Sequence, residues 1–251
     1  MNKASIVIPT YNGLGLLQRC VSSIRQHTAS PYEIIVVDNA STDGTAEWCL
    51  GEKLKLVSLA RNAGFPAACN QGLRLSVGET LVLLNNDTAV TPRWLDNLTT
   101  ALYSAPEVGI VGPVTNYVSG PQRVDVRFGN LGEFQALAEA NNESDASRWR
   151  NTLRLVGYCL VFRRSLMDSI GLLDERFTPG HYEDDDYCYR ARLQGYRLLI
   201  CQDAMIYHEG SASFARQGLQ RQAELVERNY RLFMDKWQVD PRAFIEPAPH
   251  E

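Results

Sequence analysis

Over the first 115 residues, short apolar runs alternate with segments whose apolar positions recur every three or four residues. Residues 5–9, 33–38, 54–59 and 80–85 are β-branched or Leu-rich and read as strands. Between the first two, Leu16, Leu17, Cys20, Val21 and Ile24 share one helical face. This rhythm predicts βαβ units, and near-continuous apolar strands predict a mostly parallel sheet covered by helices on both faces. Each strand runs into a polar loop, at residues 10–13, 39–44, 60–64 and 86–88. Ligands of open α/β sheets bind outside the carboxyl ends of the strands, so these loops predict where the site lies.

The rhythm breaks near residue 115. Residues 116–151 are richer in Gly, Asn, Ser and Arg and read as a surface excursion with one short helix near 131–139. Strand character returns at 155–162, 196–201 and 204–207, and an acidic run opens a helix that reaches about residue 194. Residues 219–237 carry Leu225, Tyr230, Leu232, Phe233 and Trp237 on an amphipathic helix that ends before Pro241. With neither repeat nor linker, one α/β domain over residues 1–238 is expected, followed by a tail at 239–251 whose Pro-rich end frays.

Composition narrows the class. A chain of 251 residues that is 45% hydrophobic buries one sizeable core. Its net charge of -4 lacks the basic footprint of a nucleic-acid binder. No stretch approaches the roughly 18 apolar residues of a membrane span. Met1 runs almost directly into a strand, without a signal peptide's longer apolar region, so a cytoplasmic protein is expected, with peripheral association at the inner face of the membrane compatible. The six cysteines form no Cys-x-x-Cys pair and read as reduced, packed thiols.

Candidate chemistry sits in three places. Glu183-Asp184-Asp185-Asp186 is a run of four carboxylates between aromatic and apolar residues. Such a run is either a solvated first helical turn or a functional cluster. Asp186 and Arg190, four apart with the acid first, read as a helix pair, which leaves Glu183 and Asp184 to face a cleft. Asn85-Asn86-Asp87 follows a buried strand, where one carboxylate can hold Mg²⁺ or Mn²⁺ together with a diphosphate. Thr91, before Pro92, is the expected cap of the next helix, which frees Asp87. His208 ends a later strand, and an imidazole beside a carboxylate favours Mn²⁺. Asp38 ends the second strand and suits a nucleobase imide or ribose hydroxyl, while Asp43 suits a turn or helix cap. Gly13-Leu14-Gly15 with a later acid echoes a dinucleotide fingerprint, but Gln18 stands where its third glycine belongs. An NAD-dependent oxidoreductase is therefore the weaker alternative.

Taken in order, residues 6–12, 36–44, 62–72, 83–87, 171–177, 182–186 and the His208 loop resemble the family 2 glycosyltransferases of the GT-A fold, nearest the bacterial rhamnosyltransferase-like branch. The resemblance implies a nucleotide-sugar-binding half at 1–115 and an acceptor and catalytic half at 116–238. It places Pro9, Tyr11 and Asp38 at the base, and Arg61, Asn62, Asn70 and Asn86 along the nucleotide sugar. Asp87 matches the last acid of the family's Asp-x-Asp metal motif, from which Asn85 and Asn86 depart, and His208 matches a further metal or diphosphate ligand. Glu183-Asp184 matches the family's Glu-Asp pair, whose Asp is the base, whereas Asp185 stands where many relatives have a small apolar residue. The implied reaction is inverting transfer from a UDP- or dTDP-linked sugar, dTDP-rhamnose among them, to a saccharide, lipid-linked or protein acceptor in surface polysaccharide synthesis, assisted by Mn²⁺ or Mg²⁺. Residues 116–151 and Gly157-Tyr158-Cys159 are expected to shape the acceptor cleft. A catalytically degenerate sugar-nucleotide-binding module is the non-enzymatic alternative.

Overall fold

A computed structural model describes residues 3–210 and 219–245 of the chain. The βαβ rhythm is realised as β1 (Ala4–Thr10), α1 (Leu14–His27), β2 (Tyr32–Asp38), α2 (Thr45–Gly51), β3 (Lys55–Ser58), α3 (Phe65–Leu75) and β4 (Thr80–Leu84). There follow β5 (Thr88–Ala89), α4 (Trp94–Leu102), β6 (Val108–Thr115), α5 (Leu131–Asn141), β7 (Trp149–Thr152), β8 (Cys159–Arg163) and α6 (Arg164–Ile170). The described chain closes with α7 (Glu183–Leu193), β9 (Arg197–His208) and α8 (Leu219–Trp237). The Pro-rich end at 246–249 lies outside the described residues, but just before it Pro241 and Phe244 are buried, Phe244 stacking on Tyr189.

The sheet order is β3-β2-β1-β4-β8-β6-β9-β5, with β7 also on β9. The first four strands are parallel, as their unbroken apolar runs predict. Beyond them β6 and β9 also pair parallel, but the expectation of a mostly parallel sheet holds only in part. Strand β8 enters antiparallel between β4 and β6, and β5 and β7 pair antiparallel with β9, so the whole sheet is mixed. Ile6, Ile8, Val36 and Val82 pack under α1 and α4, whereas Val7, Ile35, Val37 and Leu81 face α3 and α7.

Helix α3 lies so close to the sheet that a Cβ on Gly72 would come within 2.3 Å of Val7 Cγ1 and 3.1 Å of Val37 Cγ2. Gly72→Ala is therefore expected to destabilise the chain by about 1–3 kcal/mol, through overpacking, in urea unfolding.

Three local expectations change. Thr91 is not a helix cap: α4 starts at Trp94 behind Arg93, and the Thr91 hydroxyl donates to Met205 O. The strand expected from residue 155 starts at Cys159, leaving 154–158 outside it. The segments at 196–201 and 204–207 are one strand with a shift in register. The partner of Pro113 is Cys201 and that of Val114 is Met205. Asn97 holds Asp203 O and Asn142 accepts from Met205 N at that shift. The strand then continues far enough to pair His208 with Thr88.

Candidate active site

A cleft of about 530 Å³ opens at the carboxyl ends of β1, β2 and β4. Pro9, Tyr11, Asn39 and Asn62 line one part, Asn85, Asn86, Asp87 and His208 the floor, and Arg154, Glu183, Asp184 and Asp185 another wall.

The loops at the first part are tied by asparagines. Thr42 N donates to Asn12 Oδ1 and Asn12 N to Ser41 Oγ, joining the loops after β1 and β2. Asn39 Oδ1 accepts from Ala63 N while its amide donates to Gly64 O, joining the next pair. Asp38 is buried and accepts from Ser41 N at 3.1 Å, and it does not line the cleft. Asp43 caps as expected, taking Leu14 N on α1 and Thr45 N on α2. Asn70 is also drawn away, with its side chain spent on Leu173 and Glu175. Arg61 is exposed outside the cleft. Asn86 reaches the floor and donates to Thr10 Oγ1 at 2.8 Å.

The floor is an arrangement of acceptors. His208 Nδ1 lies 2.8 Å from Tyr117 O, a contact that places a ring proton on Nδ1 and, in the neutral ring, leaves a lone pair on Nε2. That Nε2 stands 3.2 Å from Asp87 Oδ1, a buried oxygen without a hydrogen-bond partner. Two electron-rich atoms at this separation repel unless a cation or proton joins them. Asn85 Oδ1 is a further buried, unpartnered acceptor lining the cleft. Among the described residues no three His, Cys, Asp or Glu side chains converge as a metal group. The donor set therefore fits an ion that takes few protein ligands and keeps substrate oxygens and water, as Mg²⁺ and Mn²⁺ do.

The acidic run is not a solvated helix turn. All four carboxylates are buried. Asp186 pairs with Arg190 at 2.8 Å and with Lys236 at 2.5 Å, also accepting from Trp237 Nε1, and fastens α7 to α8. Asp185 pairs with Arg154 at 2.6 Å. Asp184 faces the cleft with Oδ2 accepting from Gly157 N at 2.8 Å and Oδ1 from Asp185 N at 2.9 Å. Burial, then the neighbouring Asp184 and Asp185, push the Glu183 carboxyl well above the usual range, against the weaker pull of Arg154. Burial and Asp184 likewise push Asp185 up, to about 7, although Arg154 opposes. Glu183 Oε2 has no hydrogen-bond partner. The cluster thus favours the neutral form of Glu183, while backbone amides hold Asp184.

Sequence reasoning missed Arg154, although a lone cation between Leu153 and Leu155 was a signal. Among the described residues it is the one Arg or Lys side chain lining the cleft. It also missed Asn39, one residue past Asp38. Of the 116–151 excursion, Tyr117, Val118 and Ser119 line the cleft, and α5 packs elsewhere, Phe134 against Phe128 and Tyr207.

The family model for glycosyl transferase family 2 matches residues 5–171. The chain belongs to that family. It is 31% identical over 225 residues to the O-antigen biosynthesis protein RfbC of Myxococcus xanthus, covering 84% of this chain and 18% of RfbC. It is 24% identical over 258 residues to the N-acetylglucosaminyl-diphospho-decaprenol L-rhamnosyltransferase of Mycobacterium tuberculosis, covering 92% and 84% of the two. Against RfbC and a Sinorhizobium fredii protein the chain spans less than a third of the relative's length. Among solved structures, the Pyrobaculum calidifontis mannosyltransferase PcManGT, in complex with GDP-Man and Mn²⁺, superposes with a TM-score of 0.62 at 23% identity, over 82% of this chain and 56% of that one. GalNAc-T7 with UDP, GalNAc and Mn²⁺ gives 0.67 at 18% identity, over 83% and 44%. These likenesses establish the GT-A fold expected from the sequence. Membership of this family also removes the ground for the oxidoreductase alternative. No helix among the described residues is long and apolar enough to cross a membrane.

The buried acids make stability depend on pH. Glu183 and Asp185 bind protons more tightly folded than unfolded, so their contribution is full below their unfolded values near pH 4 and is lost as pH rises, for Asp185 through about pH 7. The melting temperature is expected to fall between pH 5 and pH 8 in thermal melts, and Glu183→Gln to flatten that fall.

Proposed function

We propose that the chain is an inverting glycosyltransferase that moves a sugar from a UDP- or dTDP-linked donor to an acceptor hydroxyl. The observation that carries this reading is Asp184, a carboxylate held by two backbone amides in the same cleft as the Asp87–His208 pair. A sugar-nucleotide-binding module has no use for such a base, which disfavours the degenerate reading.

Asp87 and His208 would hold the divalent cation, Mn²⁺ or Mg²⁺, which supplies charge neutralisation at the leaving diphosphate. Pro9, Tyr11 and Asn62 border the nucleotide, with Asn39 where Asp38 was expected. Asp184 takes the proton of an acceptor hydroxyl aligned behind the anomeric carbon, and one displacement inverts that carbon. Glu183, whose neutral form burial favours, is the weaker candidate for the base. Tyr182, Val226, Pro241 and Ile245 give the acceptor part an apolar wall. The names of the Myxococcus and Mycobacterium relatives support a saccharide or lipid-linked saccharide acceptor, a protein being the less supported class. They also support a role in surface polysaccharide synthesis, with dTDP-rhamnose as a donor to test first. Such a role is compatible with a cytoplasmic protein that associates peripherally with the inner face of the membrane.

A thermal-shift series tests the donor class. UDP or dTDP at a hundredfold excess over Kd is expected to stabilise the chain by about 2.7 kcal/mol, roughly 5–10 °C, and more with Mn²⁺ present than without. Equal stabilisation by NAD, with none from these diphosphates, would sink the transferase reading.

A further inference from the structure

The backbone ladder between β6 and β9 stops at Thr115 and Ile206. Two residues later a side chain takes over from it. Asn116 Oδ1 accepts from His208 N at 3.0 Å, and Asn116 Nδ2 donates to His208 O at 3.0 Å. Tyr117 O then meets His208 Nδ1 at 2.8 Å. The Tyr117 ring stands edge-on to the imidazole with centroids 5.9 Å apart, and Tyr158 stacks on it at 5.2 Å and 15°. The chain leaving His208 passes over the Tyr117 ring at Gly210, where φ is +80° and a Cβ would lie 2.1 Å from Tyr117 Cδ1. Main chain and ring proton of His208 are therefore held by one short segment, and its ring plane by that segment together with Tyr158.

We infer that Asn116 and Tyr117 form a clamp that sets His208 in its Nδ1–H tautomer and aims Nε2 at Asp87 before any cation arrives. The inference rests on the reading of Asp87 and His208 as the cation pair. A free imidazole divides its proton between two nitrogens, and a rotating one must be ordered on binding. Fixing the proton on the far nitrogen removes both costs, and outer partners of this kind typically change metal affinity about 10–100-fold. Asn116 touches no substrate in this account. It is a positioning residue.

Long-range ¹H–¹⁵N NMR of the metal-free chain at pH 8 reads the tautomer directly, with the His208 signal assigned by its loss in His208→Gln. The wild type is expected to show the Nδ1–H form. Asn116→Ala should show mixed tautomers, and its Mn²⁺ dissociation constant, from EPR in the presence of UDP, should rise about 10–100-fold. Asn70→Ala, which removes a comparably buried amide far from the clamp, should keep both the tautomer and the affinity even where it lowers the melting temperature. A wild-type His208 in the Nε2–H form would overturn the clamp, even if Asn116→Ala cannot be produced folded. So would Mn²⁺ affinity that falls in His208→Gln but stays at the wild-type value in Asn116→Ala, a result that leaves the cation pair standing. Mn²⁺ binding that is absent from the wild type, or unchanged in His208→Gln, would remove the cation pair and the clamp together.

Discussion

Asp184→Asn is expected to lower kcat by about a hundredfold or more while UDP or dTDP binding stays near wild type. The substitution keeps the shape of the side chain and takes away the proton acceptor. The structure adds a second consequence. Both Asp184 oxygens accept backbone N–H groups, from Gly157 and from Asp185. An amide offers one oxygen, so its NH₂ group must face a backbone donor, at a stability cost of roughly 1–3 kcal/mol. Turnover should therefore be compared below the variant's own melting transition.

Glu183→Gln makes the contrast. Burial and its acidic neighbours push the Glu183 carboxyl well above the usual range, so the amide mimics the favoured neutral form and turnover should survive. Asp185→Asn should also leave turnover largely intact, but it strips the half-buried Arg154 of its counter-charge and should cost stability, by roughly 1–3 kcal/mol. A dead Glu183→Gln beside an active Asp184→Asn would move the base to Glu183. If both remained active, the acidic turn would be structural alone.

Asp87→Ala is expected to abolish turnover and the Mn²⁺-dependent part of donor stabilisation, without lowering the melting temperature of the free chain. The second half follows from the local geometry. Asp87 Oδ1 has no hydrogen-bond partner and stands 3.2 Å from His208 Nε2, so above the pH where the imidazole is neutral its removal relieves a repulsion. Its main-chain carbonyl still accepts from Glu209 N in the variant. Function and fold thus separate at this residue, which few buried carboxylates permit. Wild-type activity that survived excess chelator would contradict the assignment. Arg154, which lines the cleft where Arg61 does not, would then be the cation to test against the diphosphate.

Much of this was legible along the chain because burial leaves local periods. Four unbroken apolar runs specified the parallel strands β1 to β4, and the polar loop after each marked the edge where the cleft opens. The 131–139 and 219–237 patterns became α5 and α8 within two residues. The Asp186–Arg190 spacing became an ion pair because residues four apart on a helix are neighbours wherever the helix lies.

What the chain order left open was which groups meet. Asp38 and Asn39 are adjacent in sequence, but successive residues at a strand end point to opposite sides. The sheet's packing turned Asp38 inward to Ser41 and left Asn39 on the cleft. Asn70 resembled a ligand contact until the segment around Leu173, more than a hundred residues away, took both ends of its amide. The mixed sheet arose because β8 enters antiparallel between β4 and β6, a choice of partner that no local period encodes. The shift of β9 against β6 then carried His208 to Thr88, beside Asp87. Sequence determined the strands, the helices and the kinds of chemistry available, since these depend on neighbours within a few residues. Tertiary structure decided which acids backbone amides and Arg154 hold, which acid is pushed toward its neutral form and which imidazole nitrogen meets Asp87, because each depends on burial and pairing between segments far apart in the chain.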